Sequence, residues 1–107
     1  MRMWLVEPSK MCRKHLLGEH VEMHMLLGTL QKGKSIKGYI NNNLIEPLKL
    51  KERHDELARE IRRRGYSHNS PLDYESSIFD YIKEDKYFKI NKIAAYAELL
   101  RRCSDCK

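Results

Sequence analysis

The sequence has few of the features that mark secreted, membrane-spanning or disulfide-rich proteins. Three cysteines among 107 residues are an odd number, so we expect no disulfide framework and a reducing, cytoplasmic environment. No apolar run approaches the roughly 18 residues that span a bilayer, and the opening MRMWLVEP is interrupted too soon for a secretory signal. Aromatic residues make up only 8%, which predicts a core of Leu, Ile and Met. These shortages favour an intracellular protein that does not enter a membrane.

The motifs of several common enzyme classes are also missing. The chain has no Gly-rich phosphate loop, no nucleophile elbow and no HExxH. It shows neither repeats nor the alternation of apolar and polar residues that marks a strand. Its length suits one domain with a modest core. We therefore predict an all-α fold, with residues 1–107 forming a single compact domain of three to four helices.

Positive charge is in excess. Lysine and arginine number 21 against 15 acidic residues, which gives a net charge of +6 and a pI near 9.3. This balance favours a polyanionic partner, most simply nucleic acid, although an inert basic surface has the same composition.

The helical pattern predicts four helices. The first follows Pro8-Ser9, with Ser9 as a candidate cap, and the last ends before CSDCK. The sequence KGKSIKG and the three asparagines after it are predicted to form a loop. The predicted helices are about 10–31, from Glu46-Pro47 to a C-terminal cap at Gly65, about 73–84, and about 91–102.

The first helix is apolar around most of its circumference and carries an acidic stripe. His15, Glu19 and Glu22 share one narrow sector at helical spacing. A helix of this kind is normally buried, and a buried carboxylate must be paired or hydrogen-bonded. From the residues alone, internal salt bridges to arginines are the commoner explanation, and a catalytic carboxylate is the alternative.

Two further groups of residues have more than one interpretation. Cys103 and Cys106 form a CxxC, and with His20 and His24 they have the ligand types of a Cys₂His₂ zinc site. Because Cys103 and Cys106 lie at the end of the chain, the interpretation without a metal is favoured, with His20 and His24 as core residues. The basic residues of the loop and of the second helix's last turn are either solvated or form a phosphate-binding surface; they are Lys32, Lys34, Lys37, Arg62, Arg63 and Arg64.

Three segments resemble one known family. These are MRMWL, HLLGEHVEM and KERHDELAREIRRRGY, which occur in the same order in the phage-type pyrimidine dimer DNA glycosylase/AP lyases, the UV-repair endonuclease V family. The resemblance extends from Met1 to about Tyr66. It implies an all-α enzyme that works without a metal or other cofactor, as a monomer, on double-stranded DNA containing a damaged base.

The resemblance also implies roles for individual residues. In the family the N-terminal α-amine attacks the sugar C1′, expels the base and forms an imine, after which β-elimination nicks the strand. Since Arg2 is too large to allow removal of the initiator methionine, the nucleophile here is expected to be the amine of Met1, with Glu22 as the catalytic glutamate. An α-amine has a pKa of about 7.7 to 8.0, which suits a nucleophile near neutrality. The residues implied in substrate or DNA binding are Arg2, His15 and Glu19, together with Arg53 and Arg64, which would be part of the framework and DNA-facing surface of the second helix.

The sequence departs from the family at positions linked to damage recognition. Val21 and Met25 replace two arginines of the first helix, and an aromatic, basic C-terminal tail is missing. The alternatives are therefore a glycosylase/lyase for another damaged or modified base or for abasic sites, and a non-catalytic basic DNA-binding module.

Overall fold

The computed structural model describes residues 1–66, 71–82 and 89–106. The regular secondary structure in these ranges consists of helices. No β-strand occurs in these ranges, which confirms the predicted fold class. No helix among the described residues is long and apolar enough to cross a bilayer. The helices are α1 (Arg13–Gln31), α2 (Lys37–Asn41), α3 (Leu50–Arg63) and α4 (Lys92–Arg102), with 3-10 turns at Pro8–Lys10, Pro47–Lys49 and Ser76–Phe79.

Helices α1 and α3 form an antiparallel pair at the centre of the core. Glu19 in the first half of α1 contacts Arg53 near the start of α3, whereas Arg64 after α3 reaches Pro8 and Met11 ahead of α1. The pair buries the apolar face of each helix. Its buried aliphatic and methionine side chains are Leu16, Met23, Leu26, Leu30, Leu50, Leu57 and Ile61.

Burial of α1 is more one-sided than its apolar sequence predicts. Val21 and Met25 are 55% and 56% exposed, although both lie on a flank that the sequence assigns to the interior. Only one face of α1 packs on α3, so the opposite face carries apolar side chains into solvent.

The N-terminal segment runs through the core instead of fraying from it. Met3, Trp4 and Val6 are buried, and the Met3 N–H donates to the carbonyl of Leu44 at 2.8 Å. Leu5 has a φ of +54°, a left-handed conformation that costs a non-glycine residue about 1 to 2 kcal/mol. The surrounding packing therefore holds this segment in one path, and the amino terminus has a fixed position.

Several predicted boundaries need correction. The first helix begins at Arg13, and its cap is Cys12, not Ser9, because the turn Pro8–Lys10 ends in extended backbone at Met11. The loop predicted at KGKSIKGYINNN contains the short helix α2.

The two later predicted helices have different outcomes. The described part of the helix predicted over 73–84 is only the 3-10 turn Ser76–Phe79, and its last two residues lie outside the described ranges. The last helix is confirmed, with the Asn91 side chain accepting from the Ala94 N–H at 3.0 Å.

Candidate active site

The amino terminus lies beside one of the two acids on α1. The Met1 nitrogen is 3.9 Å from Oε1 of Glu22, and the Glu22 side chain is 32% exposed. The buried segment 3–6 fixes the nitrogen from one side, and α1 fixes the carboxylate from the other. The structure thus brings together the two residues that the sequence identifies as the candidate catalytic pair.

A cleft of about 290 Å³ opens beside Glu22 and Arg2, the residue after Met1, and its wall is rich in cations. Arg2, Lys14 and Arg102 supply positive charge, while Trp4 supplies an aromatic face. The Arg2 guanidinium carbon lies 3.9 Å from the centroid of the Trp4 ring, a cation–π distance. Burial, together with the charge of Arg102, lowers the pKa of Arg2. The remaining wall residues are His15, Gly18, Glu19 and Glu22.

This arrangement has the parts needed for nucleophilic chemistry on an anionic substrate. A primary amine can attack an electrophilic carbon, and a carboxylate within reach can accept its proton and stabilise a cationic intermediate. Three cations around the same cleft favour a substrate that carries negative charge next to the reacting carbon.

For Glu19 the residues favour an internal salt bridge and the resemblance implies substrate or DNA binding; the structure shows a buried ion pair with Arg53. Arg53 donates to Glu19 through Nε at 2.5 Å and Nη2 at 3.0 Å. The two side chains are 0% and 1% exposed. Burial raises the pKa of Glu19, and hydrogen bonds from Arg53 and the Trp4 backbone oppose that rise. Because neither side chain reaches solvent, direct DNA contact by Glu19 or Arg53 is corrected to a structural role.

The same pair holds the amino-terminal segment against the helices. Glu19 accepts from the backbone of Trp4, and Arg53 Nη1 donates to the carbonyl of Val6 at 2.8 Å. Both contacts lie within five residues of the Met1 nitrogen. Glu19 borders the cleft but has no exposed side-chain surface, so the ion pair acts by positioning the segment that carries the amine.

Arg64, also assigned to DNA, continues this clamp from the end of α3. It donates to the carbonyls of Pro8 and Met11 at 3.0 and 2.6 Å, and its side chain is only 18% exposed. Arg63 and Arg64 both pair with Glu60, and they hold its pKa at about 2. Arg64 thus fixes the segment before α1, which is the framework part of the role that the resemblance implies for it.

Breaking the buried pair should destabilise the whole protein. Replacing Arg53 by Met leaves the Glu19 carboxylate uncompensated in the interior, and we expect the free energy of unfolding to fall by about 3 to 5 kcal/mol. Urea denaturation would measure this. Arg59, exposed on the same helix, is the matched control: Arg59→Met should change stability by less than about 0.5 kcal/mol. A loss at Arg53 no larger than at Arg59 would show that the pair is dispensable.

The basic residues proposed as one phosphate surface form two separate groups. Lys32, Lys34 and Lys37 are exposed just after α1, whereas Arg62 and Arg63 are exposed at the end of α3. The antiparallel packing puts that end of α3 beside the start of α1, where Arg13 stacks on Tyr66. The two groups are therefore separated by roughly the length of α1, about 28 Å.

His15 lies between the cleft and a cluster of cysteines. It lines the cleft, and its Nδ1 is 3.2 Å from Cys12 Sγ and 3.7 Å from Cys106 Sγ. Cys103 belongs to the same cluster. The combination of Cys103 and Cys106 with His20 and His24 is not formed, since those histidines group with His54 instead.

Sequence reasoning missed two of the cleft's cations. Lys14 lies two helical turns before Glu22, and Gly18 lies one turn before it. Helical spacing from Glu22 therefore predicts that both residues are on the side of α1 that lines the cleft. Arg102 reaches the cleft from α4, and no local pattern predicts where that distant helix packs.

One comparison with known proteins finds a relationship. The sequence model of a family described as pyrimidine dimer DNA glycosylase matches residues 1–74. Neither a curated protein nor a solved structure gives a match. The matched range contains the candidate pair, the buried clamp and all of α1 to α3, and it ends before α4.

Proposed function

The chain belongs to the pyrimidine dimer DNA glycosylase family, and on that premise we propose that it is a DNA glycosylase with AP-lyase activity whose nucleophile is the α-amine of Met1. The observation that carries the proposal is the 3.9 Å separation between the Met1 nitrogen and Glu22 Oε1. A primary amine beside a carboxylate supplies the nucleophile and the proton acceptor that imine formation needs.

In the proposed reaction the α-amine of Met1 replaces the base at C1′ of the sugar. The Met1 nitrogen attacks C1′, the bond between C1′ and the base breaks, and the base leaves with that electron pair and a proton. Glu22 accepts the proton lost by the amine. The nitrogen lone pair then breaks the C1′–O4′ bond, O4′ takes the proton from Glu22, and the carboxylate stabilises the cationic imine of the opened sugar. Loss of a C2′ proton then expels the 3′ phosphate oxygen, which nicks the strand, and water hydrolyses the imine to regenerate the amine.

The cations of the cleft suit the phosphates that flank such a nucleotide. Arg2, Lys14 and Arg102 line the same cleft as Glu22. They offer donors to phosphate oxygens, and Arg is the better bidentate partner. Glu22 is thereby kept in a positive field that also holds the DNA backbone against the amine.

An adjoining pocket offers room for an extruded nucleotide. It has a volume of about 570 Å³, shares Arg2 and Arg102 with the cleft, and is also lined by Asn42, Asn43 and Asn91, of which Asn42 and Asn91 already hydrogen-bond within α2 and α4. Enzymes that act on a base in duplex DNA take a nucleotide out of the stack and bind it in a pocket of this kind. Amides can read the edge of a base.

The substrate class that we propose is a UV photoproduct, with another damaged or modified base or an abasic site as the second candidate. Val21 and Met25, which replace family arginines, are exposed on the α1 face one residue before and three residues after Glu22. Apolar side chains at these positions favour contact with bases over contact with phosphates. A panel of duplexes that each carry one defined lesion separates these substrates by base release and nicking.

Borohydride trapping tests the class of activity. An imine between protein and DNA is reduced to a stable covalent adduct, whereas a non-catalytic DNA-binding module gives none. We expect a covalent adduct with the abasic duplex and with the preferred lesion, and we expect one protein monomer in each adduct. We also propose that the protein acts in the cell compartment that holds the DNA. Binding without any adduct would contradict the proposal in favour of the binding module.

DNA affinity should depend steeply on salt. Lys32, Lys34 and Lys37 are exposed cations at one end of α1, and each lysine that no longer neutralises a phosphate should lower the log–log salt slope by about 0.9. Glutamine variants of the three lysines, measured by fluorescence anisotropy across a salt series, give this slope. Lys92, exposed at the start of α4 away from the cleft, is the control, and Lys92→Gln should leave the slope unchanged. Equal slopes for the lysine variants and wild type would exclude this end from the DNA interface.

A further inference from the structure

Four side chains with metal-binding atoms converge at one end of α1. Cys12, His15, Cys103 and Cys106 each contribute one ligand atom, and these atoms all lie within 4.8 Å of one another. They come from two segments about 90 residues apart, and each segment has a two-residue gap between its ligands. We propose that this cluster is a structural zinc site of the Cys₃His type.

The distances fit a single tetrahedral ion. Zn–S bonds of about 2.3 Å and a Zn–N bond of about 2.0 Å place two sulfurs about 3.8 Å apart, and a sulfur and a nitrogen about 3.6 Å apart. Cys12 Sγ and Cys103 Sγ are 3.8 Å apart, and Cys106 Sγ is 3.7 Å from His15 Nδ1. The Cys12 Sγ to His15 Nδ1 distance, 3.2 Å, needs to lengthen by only a few tenths of an ångström. The three cysteines are free, and a disulfide would require about 2.05 Å.

The local backbone already holds the sulfurs as hydrogen-bond acceptors. Cys12 caps α1, and its Sγ accepts from the His15 N–H at 3.4 Å, while the Cys12 N–H donates to Cys106 Sγ at 3.2 Å. Hydrogen bonds from backbone N–H groups stabilise thiolates and orient metal ligands. The helix start and the chain end therefore form one preorganised site.

A metal here would attach a helix that the core holds weakly. Ala95 and Leu99 are the buried residues of α4, whereas Ile93 is 84% and Leu100 41% exposed. Small domains with limited cores commonly add a structural metal. The site would also fix Arg102, the residue before Cys103, at the wall of the cleft.

The four protein ligands leave no open coordination position, so the ion would take no part in the reaction. His15 would then be a metal ligand and not a DNA contact. The inference is independent of the proposed glycosylase activity, because it concerns only the ligand atoms and the attachment of α4.

Metal analysis of protein purified without a metal-affinity tag tests this site. We expect about one zinc per chain, and removal of zinc by a chelator under reducing conditions should lower Tm. Cys103→Ser, Cys106→Ser and His15→Asn should each lose zinc. His20→Asn and Ser104→Ala are matched controls that should retain it, since His20 lies in the other histidine cluster and Ser104 lies between the two cysteines.

Cobalt binding to the wild-type protein gives an answer even if the variants fail to fold. Demetallated, reduced protein titrated with Co²⁺ should show a thiolate-to-cobalt charge-transfer band and tetrahedral d–d bands that saturate at about one equivalent. Zinc-free protein without a thiolate band on cobalt addition would overturn the proposal. So would loss of zinc in His20→Asn with full retention in Cys106→Ser, or iron–sulfur absorbance in the purified protein.

Discussion

Replacing Glu22 by Gln should reduce base release by about 100-fold or more, the scale of lost acid–base assistance, in a protein that stays folded and binds DNA. The substitution keeps the shape of the side chain but removes its charge and its ability to accept a proton. Because the Glu22 side chain is 32% exposed, it is not a buried charge whose loss would unfold the protein. Single-turnover base release, with unfolding and DNA-binding curves for the same variant, measures all three properties.

The control for Glu22 is an acid outside the cleft. Glu7 is exposed on the segment before α1 and does not line the cleft, so Glu7→Gln should keep the activity of wild type. Glu19→Gln should act differently from both variants, because it removes the charge that pairs with the buried Arg53. Its main effect should be a lower free energy of unfolding, not a loss of catalysis in the folded protein. Near-normal turnover in a folded Glu22→Gln protein would remove Glu22 from the mechanism.

Extending the amino terminus should abolish imine formation altogether. A residue added before Met1 turns its amine into an amide, which is not nucleophilic, and displaces any new amine from Glu22. DNA binding should largely survive, because the cations of the cleft and of both ends of α1 are unchanged. A cleavable fusion supplies its own control: trapping should be absent before cleavage and present once Met1 is again the first residue, as verified by intact mass.

Undiminished trapping by the uncleaved fusion would contradict this mechanism. The nucleophile would then be a lysine, and Lys14, which lines the cleft, is the side-chain amine best placed for that role. A Lys14→Gln variant with the native amino terminus distinguishes the two amines, since it should still trap if Met1 is the nucleophile.

Helical spacing on α1 is where the sequence is most informative. It identifies Glu19 and Glu22 as acids on an apolar helix and leaves open whether each is paired or catalytic. The structure separates them: Glu19 is fully buried with Arg53, and Glu22 is partly exposed beside Met1. Both positions hold the same type of residue and share one face of the helix. What distinguishes them is the side chain that packs opposite, which only the tertiary fold determines.

Long-range pairing is also why the cysteine cluster escaped prediction. Cys103 and Cys106 have an obvious local spacing, and His20 and His24 are the partners that the sequence suggests, because they too are one turn apart. The actual neighbours are Cys12 and His15, since α4 ends against the start of α1. The same packing brings Arg102 to the cleft, so both omissions have one cause.

The arginines at the end of α3 show that composition alone does not distinguish a structural arginine from an exposed one. The cluster Arg62 to Arg64 has the appearance of a uniform basic surface, yet Arg64 turns inward to the carbonyls of Pro8 and Met11. Carbonyls that lie outside the α-helices need other donors when they are buried. That need, which the linear sequence does not display, decides which arginine is structural and which are exposed.

Mapping the borohydride-trapped adduct tests the central claim most directly. Chymotryptic cleavage after Trp4 releases the peptide MRMW, whose only amine is the α-amine of Met1, because the first lysine of the chain is Lys10. Mass spectrometry of the trapped complex after nuclease digestion should find the reduced deoxyribose remnant on this peptide. A remnant on any lysine-containing peptide, with MRMW unmodified, would contradict Met1 as the nucleophile.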